Sequence, residues 1–526
     1  MFLLAAAAAA PLHAQARRAA ATGTPSAAQV TRAIGTITEA DYRARIGVIA
    51  DDSMRGRGTP SPELEKVASW IAGEFQRFGL RPGGDSGSFL QRYRIRRSML
   101  DSTSFVMAMG HGAHGHWVLG RDAAYLAGTL PDSNVSGPVV LLYGQSADTA
   151  RPFGDAPLAG AVVLQVGALS RLNSSLPLVQ KAAAAGARAF VVVADVPANF
   201  WANMTRGART ARLELVGGTP SANAQVPIPV FLVRDSSALG VLQAAGETMA
   251  ALRAEGASGA RMLQGFTAAV SARRTTLDEA SAPNVIGVLE GSDPALRSEY
   301  VFFTGHMDHV GAVGMGNGCS AAGADSICNG ADDDASGTTG VVMLARAFAQ
   351  LNPRPRRTLV FMTVSGEERG LWGSEYYSEH PVFPLAQTVT DLNMDMIGRY
   401  YRNQVGWRDT IVVIGKEHSS LGATANAVTT AHPELHMQLI DDIWPTERFY
   451  SRSDHFNFAR KGVPILFFFN GTHPDYHRAT DSVDKIDAEK ASRIVQMVFY
   501  IGLDVANTTE RPQWNPESRR QVVQTP

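Results

Sequence analysis

Five short segments of this 526-residue chain carry side chains that can bind divalent metal ions or move protons. The first is Gly305-His306-Met307-Asp308-His309. In an extended x-His-x-Asp stretch the side chains alternate, so His306 and Asp308 point the same way. A metal-bound imidazole needs a second group to fix its orientation, and Asp308 suits that task. The second, Asp332-Asp333-Asp334, stands immediately before a predicted helix, where three adjacent carboxylates repel one another; alone it reads as a solvated turn capping the helix. In the third, Glu367-Glu368 follow a very apolar run and can divide the work of ligand and general base. Asp395, in Asn393-Met394-Asp395-Met396, is an isolated carboxylate at the end of an apolar stretch, where burial is costly unless the charge is paired or metal-bound. The fifth runs from Asp475 through Tyr476 and His477 to Asp481. Two histidines with three carboxylates suit a pair of divalent ions bridged by one carboxylate.

These segments need a scaffold that brings them together. From about Asn284 onward the chain alternates apolar strands with helices. Strands are predicted at Asn284–Leu289, Tyr300–Thr304, Thr358–Val364, Thr388–Met394, Thr410–Ile414 and Val463–Phe469. Helical spacing covers Gly337–Leu351 and Ala488–Val505, and earlier Pro62–Gly79. This is an α/β pattern with a mixed, mostly parallel central sheet covered on both faces. All but one of the five segments lie just after a predicted strand, at the carboxyl edge where open α/β sheets bind ligands. Between about 130 and 250 the texture changes to short Val/Leu runs broken by Gly, Pro, Asn and Asp, with one Ala-rich helix near Leu178–Ala185, which reads as a small β-rich module.

Composition excludes other classes. The 48 Lys+Arg against 49 Asp+Glu give no general electrostatic reason to bind nucleic acid or anionic lipid, and 45% hydrophobic residues exclude a disordered polymer. Beyond the start there is no apolar run long enough to span a bilayer. The start reads as an export signal: Phe2–Ala10 is an apolar run of h-region length, and Ala14-Gln15-Ala16 is a small-x-small cleavage pattern, although no Lys or Arg precedes the run. A periplasmic or secreted location is therefore expected. Cys319 and Cys328, the two cysteines, are then expected to pair beside the metal-binding segments, thiolate ligation being the alternative. Gly84-Asp85-Ser86-Gly87 resembles a serine-nucleophile signature but lacks the all-β setting. Aromatic residues of Trp444–Tyr450 could line a substrate pocket or simply pack.

The order of these segments resembles the co-catalytic di-zinc aminopeptidases of bacteria, whose relatives include glutamate carboxypeptidase and the transferrin receptor. Ser281-Ala282-Pro283-Asn284-Val285-Ile286, Gly373-Ser374, Ser453-Asp454-His455 and Gly462-Val463-Pro464 add to the likeness, which covers about residues 36–505. The β-rich module resembles a protease-associated insert, through Lys181–Gly186 and Val226-Pro227-Ile228-Pro229-Val230. The expected layout is a signal peptide at 1–16, a flexible lead-in at 17–36, a peptidase domain at 37–128 and 266–508, the insert at 129–265 and a polar tail at 509–526. By this resemblance His306 and Asp395 would hold one zinc, Glu368 and His477 the other, with Asp333 bridging and followed by a cis peptide. Asp308 would orient His306, Glu367 would act as general base, and Tyr476 could donate a hydrogen bond to the developing oxyanion. Cobalt or manganese could replace zinc. The implied activity is that of an exported aminopeptidase acting on peptides or small proteins. The alternatives are an acidic-dipeptide carboxypeptidase, a glutaminyl cyclase and a non-catalytic receptor-like binding protein. Substrate preference and oligomeric state are left open by the sequence.

Overall fold

The computed structural model describes residues 24–111, 115–130, 134–144, 151–167, 176–218, 226–315 and 318–524. The expected export signal lies outside the described residues. The chain forms two units, one of Met1–Tyr93 with Ser281–Pro526 and the other of Arg94–Ala280.

Seven strands of the first unit matter for the site: β1 (Arg274–Leu289, of which the part from Ser281 belongs here), β2 (Tyr300–His306), β3 (Thr358–Val364), β4 (Thr388–Met394), β5 (Thr410–Ile414), β6 (Gln438–Ile440) and β7 (Ile465–Phe469). Their order is β6-β5-β7-β4-β2-β3-β1. The pairings β5/β6, β4/β7, β2/β4 and β2/β3 are parallel, whereas β5/β7 and β1/β3 are antiparallel. This is the mixed, mostly parallel sheet expected. Because strand side chains alternate, neighbouring phenylalanines of β2 serve opposite faces. Phe302 packs on Tyr377 and Phe458, while Phe303 stacks on Phe361 and meets Phe348.

Helices close both faces: α1 (Ala27–Ile34), α2 (Glu39–Ile49), α3 (Pro62–Arg77), α4 (Gly337–Ala349), α5 (Trp372–Glu379), α6 (Leu421–Ala431), α7 (His455–Ala459), α8 (Ala488–Asn507) and α9 (Pro516–Val522). α3 has the pattern its sequence promised, with Ser61 capping the N-terminus, Pro62 at the first position and Leu64, Val67, Ala68, Ile71 and Phe75 buried.

Three boundaries differ from expectation. Residues 27–34, placed in a flexible lead-in, form a helix closed by a reciprocal Ser26–Gln29 capping box, with Ala33 buried. The insert is wider than 129–265. Val106–Gly110 pairs with Gly259–Ser271, and Ala123–Ala127 with Val230–Val233, so both flanks join the second unit's seven-stranded sheet. Such pairings between distant segments leave no local trace in the sequence. That sheet too is double-faced: Val139 and Leu141 enter one apolar cluster and Val140 and Leu142 another.

The third difference is the tail at 509–526, which is docked rather than loose. Trp514 packs against the β7-side cluster and donates its indole N–H to the Gly462 carbonyl at 2.9 Å, and the buried Arg357 guanidinium donates to the Thr509 carbonyl at 2.9 Å. Among the described residues no helix is long and apolar enough to cross a membrane. Trp514→Ala is expected to cost about 2–3 kcal/mol, below the range for a fully buried aromatic. Chemical denaturation checks this, and an unchanged midpoint would mean the tail contributes nothing.

Candidate metal centre

β2 delivers His306 at its last residue, and the chain then turns through Met307, Asp308 and His309, all fully buried. The turn before α4 supplies Asp332–Asp334, the turn after β3 supplies Glu367 and Glu368, the end of β4 supplies Asp395 and the loop after β7 supplies Tyr476 and His477. All but the Asp332–Asp334 turn follow the carboxyl ends of parallel strands, so adjacent strands hold their leading residues side by side.

The side chains converge in two groups sharing one carboxylate. His306 Nε2 stands 3.3 Å from Asp333 Oδ1 and 3.6 Å from Asp395 Oδ1. On the other side of Asp333, its Oδ2 is 3.2 Å from His477 Nε2, which is also 3.1 Å from Glu368 Oε2. All five expected ligand residues are thus brought together, with Asp333 central. The Asp333–Asp334 peptide is cis.

A sixth side chain joins them. His309 Nδ1 lies 2.7 Å from Glu368 Oε1 and 3.6 Å from Asp333 Oδ2. Sequence reasoning passed over this residue although it sits in the first segment, because strand alternation stops at His306 and gives no direction for a residue three further on.

The residues fit divalent ions. A tetrahedral ion with bonds of roughly 2.0–2.1 Å keeps its ligand atoms about 3.3–3.4 Å apart, and the separations here straddle that edge. Asp333 Oδ2, Glu368 Oε1, Asp395 Oδ1 and both ring nitrogens of His309 are buried without a hydrogen-bond partner. Two clusters of convergent donor atoms stand out, His306/Asp333/Asp395 and His309/Asp333/Glu368.

The charge pattern agrees. Burial raises the Glu367 carboxyl well above its ordinary pKa, opposed by His306 and reinforced by Glu368. Burial also raises Asp395. Burial works against charge on Asp333 too, but His309, His306 and His477 prevail and hold its carboxyl well below the usual range.

The triple aspartate is no solvated turn. Asp332, Asp333 and Asp334 are all buried, and the outer two organise backbone. Asp334 accepts the N–H groups of His306 (3.1 Å), Gly337 (2.8 Å) and Met396 (3.1 Å), tying three ligand loops together. Asp332 accepts from the Gly398 N–H at 2.7 Å. Asp481 in turn accepts from Asp332 N–H at 3.0 Å and Asp333 N–H at 3.2 Å.

Arg57, which no sequence signal marked, is fully buried and donates to the carbonyls of Met307 (2.8 Å), Gly330 (2.7 Å) and Asn329, holding two ligand loops in register. Its function could be found only from the fold, because its partners are backbone atoms about 250 residues or more away.

Asp308 differs in detail from expectation. Its carboxylate accepts from Thr59 Oγ1 at 2.8 Å and from the Glu367 N–H at 3.3 Å, whereas the nearest group to His306 Nδ1 is the Asp308 main-chain carbonyl at 3.2 Å, against 3.7 Å for the carboxylate. Asp308 therefore positions Glu367 as directly as it does His306. Asp395 is oriented by Ser453, whose hydroxyl donates to Oδ2 at 2.8 Å. Tyr476 stacks on His477, with ring centroids 3.8 Å apart.

Beside the cluster is an open pocket lined by His306, Asp333, Glu367, Asp395 and Tyr476, with Met396, Phe449, Phe467 and Phe469 as its apolar lining and Arg452, Ser453 and Thr472 as further polar lining. The aromatic loop divides its roles. Phe449 faces this pocket, while Trp444 packs on Tyr401, Phe449 and Phe469. The Gly84–Gly87 motif forms a surface turn after α3 with no place in the centre.

The sequence model described as Peptidase family M28 matches residues 284–502, the stretch that carries every one of these ligand positions. This segment belongs to peptidase family M28. Two curated proteins similar to this chain are named "Probable zinc metalloprotease". The one from Pyrenophora tritici-repentis is 27% identical over 210 residues, covering 34% of this chain and 41% of its own. That from Pyricularia oryzae is 33% identical over 236 residues, covering 37% and 45%. The chain thus spans about half the length of the curated relatives it matches. Among solved structures, an aminopeptidase from Aneurinibacillus sp. strain AM-1 shares the fold, with a TM-score of 0.50 and 18% identity over 92% of this chain and 97% of that one.

Two supports of the His477 loop can be tested. Cys319 and Cys328 are disulfide-bonded, and the loop they close pairs with the His477 loop: Ser320 N–H donates to the His477 carbonyl and Ala479 N–H to the Ser320 carbonyl, both at 3.0 Å. Replacing both cysteines by serine is expected to weaken metal binding at the His477 side while sparing the His306 side, as read by metal content across buffered zinc concentrations. Equal loss from both sides would show that the clip acts on the whole fold.

The other support is Asp475, which is paired with Arg399 and Lys485, each at 2.9 Å. Burial works against its charge, but bonds from Thr480, Lys485 and Arg399 hold its carboxyl well below the usual range. Its stabilisation is therefore present above the ordinary carboxylate pKa near 4 and lost as pH falls through the lower folded value. In the chelator-treated protein Asp475→Asn should cost about 1.5–3 kcal/mol at pH 7, with the gap to wild type closing in acid. Urea melts at pH 7 and pH 3 decide it; a gap independent of pH would contradict the assignment.

Proposed function

We propose that this protein is an exported two-metal exopeptidase, an aminopeptidase that removes N-terminal residues from peptides. The observation that carries this reading is the position of Glu367, which lines the same pocket as His306, Asp333 and Asp395 while its neighbour Glu368 turns toward His477. Adjacent glutamates thus separate the proton-handling and ligand roles.

His306 and Asp395 would hold one divalent ion, Glu368 and His477 the other, and Asp333 both; zinc fits this donor set. When bound, such ions supply Lewis acidity toward water and the scissile carbonyl. Glu367 takes the proton from the attacking water and delivers it to the departing amine, a role suited to a carboxyl whose pKa burial has raised. Asp308 fixes the Glu367 backbone, which keeps the base aimed into the pocket. The Tyr476 phenol, which burial raises above its ordinary pKa, keeps its proton and can donate to the oxyanion. Met396, Phe449, Phe467 and Phe469 offer apolar contacts to the side chain of the cleaved residue, beside the polar Arg452 and Thr472 of the same lining.

The Arg94–Ala280 unit is read as a protease-associated insert on the likeness already described. Export is read from the Phe2–Ala16 pattern and supported by the Cys319–Cys328 disulfide, a bond that persists in oxidising compartments.

A panel of leucyl, phenylalanyl and glutamyl chromogenic amides, with free and blocked amines, tests the reading with and without chelator. Chelator-sensitive hydrolysis confined to free-amine apolar substrates is expected. Absence of chelator-sensitive turnover on the free-amine, blocked and acidic-dipeptide substrates would overturn it. Glu367→Gln should retain the metal content of the wild type and lose about 10²–10⁴-fold in kcat; lost metal in this variant would mean that Glu367 is a ligand.

A further inference from the structure

The geometry points to His309 as an additional metal ligand, completing the second ion's site together with Asp333, Glu368 and His477. This inference rests on the two-ion reading above and assigns a residue which that reading leaves without a role.

Three observations carry it. First, the Nδ1 of His309 faces the same two carboxylates as the Nε2 of His477. The His309 distances are 2.7 Å to Glu368 Oε1 and 3.6 Å to Asp333 Oδ2, and the His477 distances are 3.1 Å to Glu368 Oε2 and 3.2 Å to Asp333 Oδ2. The two rings meet edge to face with centroids 5.5 Å apart, which leaves the carboxylates enclosed between two imidazoles. At 2.7 Å His309 Nδ1 and Glu368 Oε1 form a close ion pair, but the alignment is not that of a hydrogen bond, and Asp333 Oδ2 and both His309 ring nitrogens likewise lack an aligned hydrogen-bond partner. Donor atoms of His309, Asp333 and Glu368 converge closely enough to serve as ligands around a common centre.

Second, His309 is fully buried. A buried imidazole whose nitrogens make no well-aligned hydrogen bond is costly, and ligation removes part of that cost beside the Asp333 and Glu368 carboxylates.

Third, the residue is fixed in place. Its backbone bridges to Gly58, and Arg57 braces the Met307 and Gly330 carbonyls on either side. Gly330 has φ +54°, and a Cβ there would collide with the His309 ring and the Asp333 carbonyl. Only glycine lets the ring come this close. Such immobilisation is what a ligand needs and what a filler side chain does not.

The two sites are then chemically unequal. His306, Asp395 and Asp333 offer one imidazole and two carboxylates, whereas His309, His477, Glu368 and Asp333 offer two of each. The nitrogen-richer site suits zinc better than magnesium or manganese.

The test uses the full chain and zinc itself. Wild type, H309A and H309Q are equilibrated with chelator-buffered zinc and their metal content counted; H309Q keeps a polar side chain of similar reach should H309A not fold. Cobalt-loaded samples are compared by visible absorption, which reports the donor set rather than activity. Wild type should bind two ions, and both variants should bind the second ion at least about 100-fold more weakly, beyond what loss of an outer partner typically costs, with a shifted cobalt spectrum. A wild type holding two ions, with either variant within tenfold of it or with an unchanged cobalt spectrum, removes His309 from the ligand set and leaves the two-ion reading standing. A wild type holding only one ion removes both.

Discussion

The structure depends on keeping a dense group of carboxylates out of water. Asp308, Asp332, Asp333, Asp334, Glu368 and Asp395 are drawn together at one sheet edge, and Asp454 and Asp481 lie fully buried behind them. Ionised carboxylates do not gather in a low-dielectric interior unless something of opposite charge repays the desolvation. Three imidazoles and the Arg57 guanidinium supply part of that compensation, and Asp333 Oδ2, Glu368 Oε1 and Asp395 Oδ1 remain without a hydrogen-bond partner, converging as candidate metal-binding groups.

Asp333 is the pivot because its two oxygens face different groups, so its placement fixes both. The neighbouring residues are organised around that requirement. Asp334 and Asp332 spend their charge on backbone N–H groups, and Asp481 does the same for the backbone of Asp332 and Asp333. Arg57 clamps the carbonyls that face the opposite way. The outcome is a rigid rim in which strand ends set the spacing of the ligand side chains, and in which Thr59 and Ser453 hold the outer oxygens of Asp308 and Asp395. Rigidity of this kind is what lets an ion bind without reorganising its ligands.

The sequence was most readable where a residue's role depends on its own neighbours. The strands Thr358–Val364, Thr388–Met394 and Thr410–Ile414 were bounded correctly because continuous apolar runs flanked by turn residues leave little choice. Trp514 misled because a short polar stretch with one aromatic reads as loose, and the apolar cluster that receives it is built by residues distant in sequence. The insert's true limits were hidden for the same reason: Val106–Gly110 and Ala123–Ala127 find their strand partners more than 100 residues away.

By itself the sequence determined the α/β class and the order of the metal-binding segments, because period-two and helical apolar patterns and the position of charged residues after strands are local properties. It also determined which residues were chemically able to act. Only the tertiary structure decided which of them meet. It turned a triple aspartate from a surface cap into a buried frame around the central Asp333 carboxylate. It brought in His309 and Arg57, for which the chain offers no periodic signal, and it assigned the Asp308 carboxylate to Thr59 and Glu367. The reason is physical: burial and electrostatic compensation are properties of three-dimensional neighbourhoods, and a residue's charge is tolerated or not according to groups that can lie hundreds of positions away.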